Sequence, residues 1–212
     1  MNSATQKLSL QGGAGAIEAL LDAPTGVPVR GTAVIAHPHP LFGGTMDNKV
    51  VQTLARAFVQ CGWQAVRFNF RGVGASAGLH DEGRGEAADM AEVIRQVAPS
   101  GALALAGFSF GAFVTTHALE SLGEDRWPDK VVLVGTAASR FTVAPIPLAL
   151  HERTLVLHGE QDDTVPLASV MDWARPQSLP VTVIPRGEHF FHGQLPLLKS
   201  LTVRHLLSPH SA

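Results

Sequence analysis

Residues 107–111 read Gly-Phe-Ser-Phe-Gly, a serine with a glycine two positions away on either side. The apolar run ALALA at 102–106 precedes them, and FVTTHA at 113–118 follows. Where a strand turns abruptly into a helix, the residue at the bend is held in a strained backbone conformation. Its neighbours two positions away must then be small, because strand and helix come nearest there. The bend lifts the serine hydroxyl clear of the sheet and sets a helix N-terminus behind it, where free backbone N–H groups favour negative charge. That combination suits nucleophilic attack on a carbonyl carbon. The plainer alternative is a Ser109 that only caps the helix; the apolar strand before it favours the nucleophile.

A serine hydroxyl is a weak nucleophile unless a base takes its proton, and the base must be oriented by a third group. Two later segments supply both types. TLVLHGEQDDTVP (154–166) carries Asp162 and Asp163 just beyond a strand, and VTVIPRGEHFFHGQL (181–195) carries His189 and His192 in the same relation to another. Both pairs stand at carboxyl ends of strands, the rim on which Ser109 also stands. His158 reads as closing the turn after its strand, and His117, His205 and His210 as helix-face or tail residues. A developing oxyanion needs preorganised donors. One is the Phe110 N–H, next to the nucleophile, and a second is expected from HPHPLFGG (37–44), the loop after another strand. Pro38 and Pro40 have no N–H to give. His37 and His39 also suggest a metal pair, but no third ligand follows at useful spacing.

These side chains need a scaffold that brings strand ends together. Short β-rich runs occur at 32–36 (TAVIA), 64–70 (QAVRFNF), 103–106 (LALA), 130–134 (KVVLV), 154–158 (TLVLH) and 181–184 (VTVI). Runs of this length and polarity fit strands buried on both faces. Helical apolar spacing marks the intervening 48–60, 85–97, 110–121, 166–175 and 194–207. Residues 6–10 and 17–22 read as a hairpin joined through glycines 12, 13 and 15. The alternation predicts an α/β architecture, a doubly wound and mostly parallel sheet with right-handed crossovers. No composition break divides it, so a single domain over residues 1–212 is expected.

Composition narrows the partners. The chain is 45% apolar and 16% charged with net charge −2, and long runs of like charge are absent, so no nucleic-acid footprint is expected. The lone Cys61 excludes an internal disulfide. No apolar run reaches membrane-spanning length, and the first residues lack the pattern of a secretory leader. A cytoplasmic protein is the expectation, with its oligomeric state left open.

The segments HPHPLFGG (37–44), RFNFRGVGASAG (67–78), GFSFG (107–111), HGEQDDTVP (158–166) and GEHFFHG (187–193) together resemble the α/β-hydrolase superfamily. The chain is similar over nearly its whole length to the small, capless, dienelactone-hydrolase-like serine esterases. The resemblance implies the α/β-hydrolase fold without a cap domain, since 135–152 leaves no room for a lid. It implies Ser109 as nucleophile where dienelactone hydrolase itself has cysteine, Asp162 rather than Asp163 as acid, and His189 as base. It assigns the second oxyanion donor to the His39 N–H, with Leu41 as the alternative. The implied reaction is hydrolysis of small-molecule carboxylic esters or thioesters of small or extended acyl groups, with no cofactor and no metal. An amidase or peptidase of the same fold, or a hydrolase-fold binding protein, are the alternatives. Arg71 is expected to pair a carboxylate or backbone carbonyls and fix its glycine-rich loop. Phe42, Phe108, Phe141, Phe190 and Phe191 are candidate wall residues.

Overall fold

The computed structural model describes residues 5–209, so the first four residues, where a leader was not expected, and His210 lie outside them. Strands β1 (Thr5–Gly12) and β2 (Gly15–Asp22) pair antiparallel, with Gly12 opposite Gly15 at the turn. Then come β3 (Gly31–Ala36), β4 (Trp63–Phe68), β5 (Leu103–Phe108), β6 (Lys130–Val134), β7 (Thr154–Gly159) and β8 (Val181–Ile184). Together they form an eight-stranded sheet in the order β1-β2-β4-β3-β5-β6-β7-β8. The hairpin joins β4 antiparallel, and every pair from β4 to β8 is parallel.

Among the described residues four α-helices lie between strands, α1 (Lys49–Gln60), α2 (Arg84–Val97), α3 (Phe110–Glu120) and α4 (Leu167–Ala174), and a fifth, α5 (Leu195–Leu207), follows β8. Because side chains alternate across a strand, Val34 and Ala36 of β3 enter one core while Ala33 and Ile35 enter the other. The first core takes Met90 and Val93 of α2, Phe113 and Val114 of α3, and Val170 of α4. The second takes Val50, Val51, Leu54 and Phe58 of α1 and Leu198 and Leu206 of α5. Helices therefore cover both faces of a mostly parallel sheet, as the alternation required.

Several strands run one or two residues further than expected at one or both ends, β1, β2 and β5 among them, and one run ends early. The run 64–70 leaves the ladder after Phe68. Asn69 gives its N–H to the Glu18 carbonyl at 2.9 Å and accepts the Met46 N–H on Oδ1 at 3.0 Å. The Phe70 N–H then goes to His37 Nε2 at 3.0 Å. The Asn69 N–H thus still reaches β2, while the Phe70 N–H serves the loop beside the site. Between β6 and β7 the chain adds a 3-10 turn, Leu148–Arg153, and among the described residues no lid covers the carboxyl rim.

Candidate active site

The register fixes where the candidate residues emerge. Ala36 lies beside Gly107, Phe108 beside Val134 and Gly159 beside Ile184, so β3, β5, β6, β7 and β8 end on one rim. Ser109 follows β5 immediately, with φ 57° and ψ −116°, a conformation that non-glycine residues rarely adopt. Its N–H is held by the Val134 carbonyl at 2.8 Å. The flanking glycines make the bend possible. A Cβ on Gly107 would run into the Gly111 carbonyl, and one on Gly111 would meet the carbonyls of Ala36 and His37.

Ser109 Oγ donates to His189 Nε2 at 3.0 Å, and His189 Nδ1–H donates to Asp162 Oδ2 at 2.7 Å. An ionised carboxylate only accepts, which places the second imidazole proton on Nδ1 and leaves Nε2 free to take the serine proton. All three residues are buried. The other carboxylate oxygen of Asp162, Oδ1, accepts the N–H groups of Thr164 at 3.0 Å and Val165 at 2.7 Å. His158, buried beside it, donates Nε2–H to the Val165 carbonyl at 2.9 Å and stands 3.6 Å from Asp162 Oδ2. Burial, and secondarily the His189 ring, pushes the His158 pKa down, against the pull of the Val165 carbonyl and Asp162. The competing candidates lie apart. Asp163 is exposed and, among the described residues, accepts only the Thr164 hydroxyl at 3.3 Å, and exposed His192 pairs with Glu188 at 3.2 Å.

Around the serine, the Phe110 and His39 backbone N–H groups donate no hydrogen bond among the described residues, whereas the Leu41 N–H is taken by the His39 imidazole at Nδ1, 3.3 Å away. The two free amides have the chemistry of oxyanion donors; Leu41 has already committed its own. Neither histidine of the HPHP run is arranged as a metal pair. The His37 Nδ1–H donates to the Pro38 carbonyl at 2.6 Å, its Nε2 accepts the Phe70 N–H, and burial pushes its pKa down to about 4.

Pro38, His39, Ser109, Phe110, Arg140 and His189 line a cavity of about 250 Å³, with Phe42, Phe141 and Phe190 among its walls. Phe191, by contrast, is fully buried in the core between α1 and α5, and Phe108 lies under the His189 ring at 5.0 Å. Arg71 makes a bidentate pair with Asp89 at 2.8 and 2.9 Å, which raises its pKa and fixes the loop after β4. Sequence reasoning passed over His80, Glu86 and Arg140. Glu86 is fully buried, accepting from His80 at 3.0 Å and from the Asp81 and Gly83 N–H groups. Its position as the third residue of α2, three past the N-cap Gly83, carried a capping signal. Nothing local marks His80 or Arg140.

A family model described as X-Pro dipeptidyl-peptidase (S15 family) matches residues 21–125, a span that includes Ser109 and stops before Asp162 and His189. The chain is 34% identical to a lidless α/β serine hydrolase from Xanthomonas campestris, with a TM-score of 0.86 covering 100% of this chain and 99% of that one. An α/β serine hydrolase homologue from Coxiella burnetii is 36% identical, with a TM-score of 0.79 over 96% of this chain and 97% of that one. An uncharacterised protein of Rickettsia prowazekii is 41% identical over 86 residues, a match that spans 39% of this chain and 36% of that protein's length.

Proposed function

This chain belongs to the α/β serine hydrolases that lack a lid, and from that premise we propose that it cleaves carboxylic esters or thioesters through a serine-bound acyl intermediate. The observation that carries the reading is the unbroken hydrogen-bond line from Ser109 through His189 to Asp162, opening on the cavity at its serine end. Ser109 Oγ attacks the carbonyl carbon as His189 Nε2 takes its proton, and Asp162 stabilises the imidazolium that forms. The Phe110 and His39 N–H groups receive the oxyanion, each such donor typically lowering the barrier by ~2.7–4 kcal/mol. The C–O or C–S bond to the leaving group then breaks, and His189 returns the proton to the departing alcohol or thiol. A water molecule, deprotonated by the same imidazole, attacks the acyl-enzyme and frees the acid and Ser109.

The S15 match favours a peptidase as the second reading. Releasing an X-Pro dipeptide requires recognition of a free N-terminal ammonium, for which a carboxylate is the natural partner. The residues lining the cavity include neither aspartate nor glutamate, and the matched span omits the acid and the base, so the ester reading is preferred. Ser109→Ala is expected to lower hydrolysis of p-nitrophenyl acetate by about 10⁴-fold or more, and a fluorophosphonate should label Ser109 in the wild type. Retained activity in the variant, or a folded protein that resists the probe, would overturn the proposal. Matched ester and amide substrates separate esterase from peptidase.

A further inference from the structure

His39 has a side chain that the oxyanion role of its backbone does not use. The Leu41 N–H points at its Nδ1 at 3.3 Å, so Nδ1 holds a lone pair and the proton of the neutral ring sits on Nε2. Burial and the neighbouring His80, with Arg140 adding to them, pull its pKa down against Glu82 and Glu86, which keeps the ring neutral at neutral pH. The imidazole is gripped by Phe110 at 4.7 Å, Phe42 and His80 at 4.9 Å each, and Phe141 at 5.9 Å. Among the described residues Nε2 has no hydrogen-bond partner, yet it is not one of the buried orphan atoms, which are Trp63 Nε1, Thr136 Oγ1, His158 Nδ1 and Gln194 Oε1. His39 lines a cavity whose lining holds no carboxylate, and its Nε2–H is a fixed donor left open to solvent.

We infer that the His39 Nε2–H binds an acceptor oxygen in the acyl part of the substrate, so that esters of alkoxy, hydroxy or keto acids are preferred to plain alkanoates of the same length. The inference rests on the ester-hydrolase reading above. The acyl side follows from placement. His39 offers its backbone N–H to the carbonyl oxygen, so its ring reaches no further than one side chain from that atom. His189, which serves the leaving group, lies instead over Phe108.

The test compares p-nitrophenyl methoxyacetate with p-nitrophenyl butyrate, which differ by one ether oxygen in place of a methylene. The ratio of their kcat/KM values is divided by the ratio of their hydroxide-catalysed rates, which removes intrinsic reactivity. One neutral hydrogen bond predicts a corrected ratio of about threefold to tenfold in the wild type. In His39→Phe, where the ring remains without its donor, the ratio should fall to about 1, and His39→Gln should stand above that value. A corrected wild-type ratio near 1, or the same ratio in wild type and His39→Phe, overturns the inference. If His39→Phe does not fold, the wild-type ratio decides alone. Fluorophosphonate labelling of Ser109 separates the two levels: failure to label overturns the hydrolase reading, whereas a labelled enzyme with a ratio near 1 overturns only the role of His39.

Discussion

Asp162 uses both carboxylate oxygens at once, one for two backbone N–H groups of its own turn and one for the His189 ring. An amide in its place cannot hold the imidazole with its proton on Nδ1, because its Nδ2 donates where Oδ2 accepted. Asp162→Asn should therefore lower kcat by about 10³–10⁴-fold with little change in KM. Asp163→Asn, on an exposed side chain, should stay within a few-fold; steady-state kinetics on one ester checks both. Spacing alone left these two aspartates equal, since which one turns inward is decided by the folded turn and by His158 behind it. Ser109 was legible for the opposite reason: its geometry is local, and the glycines that permit it are its near neighbours in sequence. Nothing local marked His37 as a buried residue. With its pKa near 4 in the folded chain and ~6.5 unfolded, the unfolded state binds the extra proton as pH falls between those values. Folding stability should thus decline through that window by up to about 3 kcal/mol. Burial of His158 adds in the same direction. Denaturant melts between pH 7 and 4 should show the decline, with a shallower slope in His37→Asn; an unchanged slope would remove His37 as its source.

The elements most legible in the sequence are those whose signal is periodic. All five helices lie within a residue of the expected bounds, because their apolar stripes are continuous and end at caps such as Asn48, which accepts the Val50 N–H at 2.8 Å. The end of β4 was not legible, because Phe70 is apolar enough to continue the strand. Its N–H leaves the ladder for a histidine far away in sequence. The bend between β5 and α3 depends on close approach rather than on periodicity. Gly111→Ala would place a methyl group on the carbonyls of Ala36 and His37, the very segment that leads into the His39 loop. It should cost about 1–3 kcal/mol or more and lower activity together with stability. Gly13→Ala, at a turn with open space around it, should leave the melting temperature within about a degree. A Gly111→Ala protein as stable as the wild type would mean that the elbow is looser than described.

At the scale of the whole molecule, the sheet brings together residues that are 80 positions apart, Ser109 and His189, by ending parallel strands on one rim. Parallel pairing from β4 to β8 makes that convergence possible, and a mostly parallel sheet was expected from the strand–helix alternation, though its strand order was not. What alternation does not encode is how deep the rim is, because depth comes from insertions. With no lid among the described residues, the apolar walls are Phe42, Phe141 and Phe190 and the space they enclose is about 250 Å³. Each acyl methylene that finds a place there gains up to about 0.8 kcal/mol, or roughly fourfold in kcat/KM. A methylene that emerges past the rim meets water before and after binding and gains nothing. A series of p-nitrophenyl alkanoates of increasing length should therefore rise over the first few carbons and then level. The rate should show no jump where the longer esters begin to form micelles, since no cap has to open at an interface. A profile that keeps climbing through long chains would require apolar surface that the described residues do not provide.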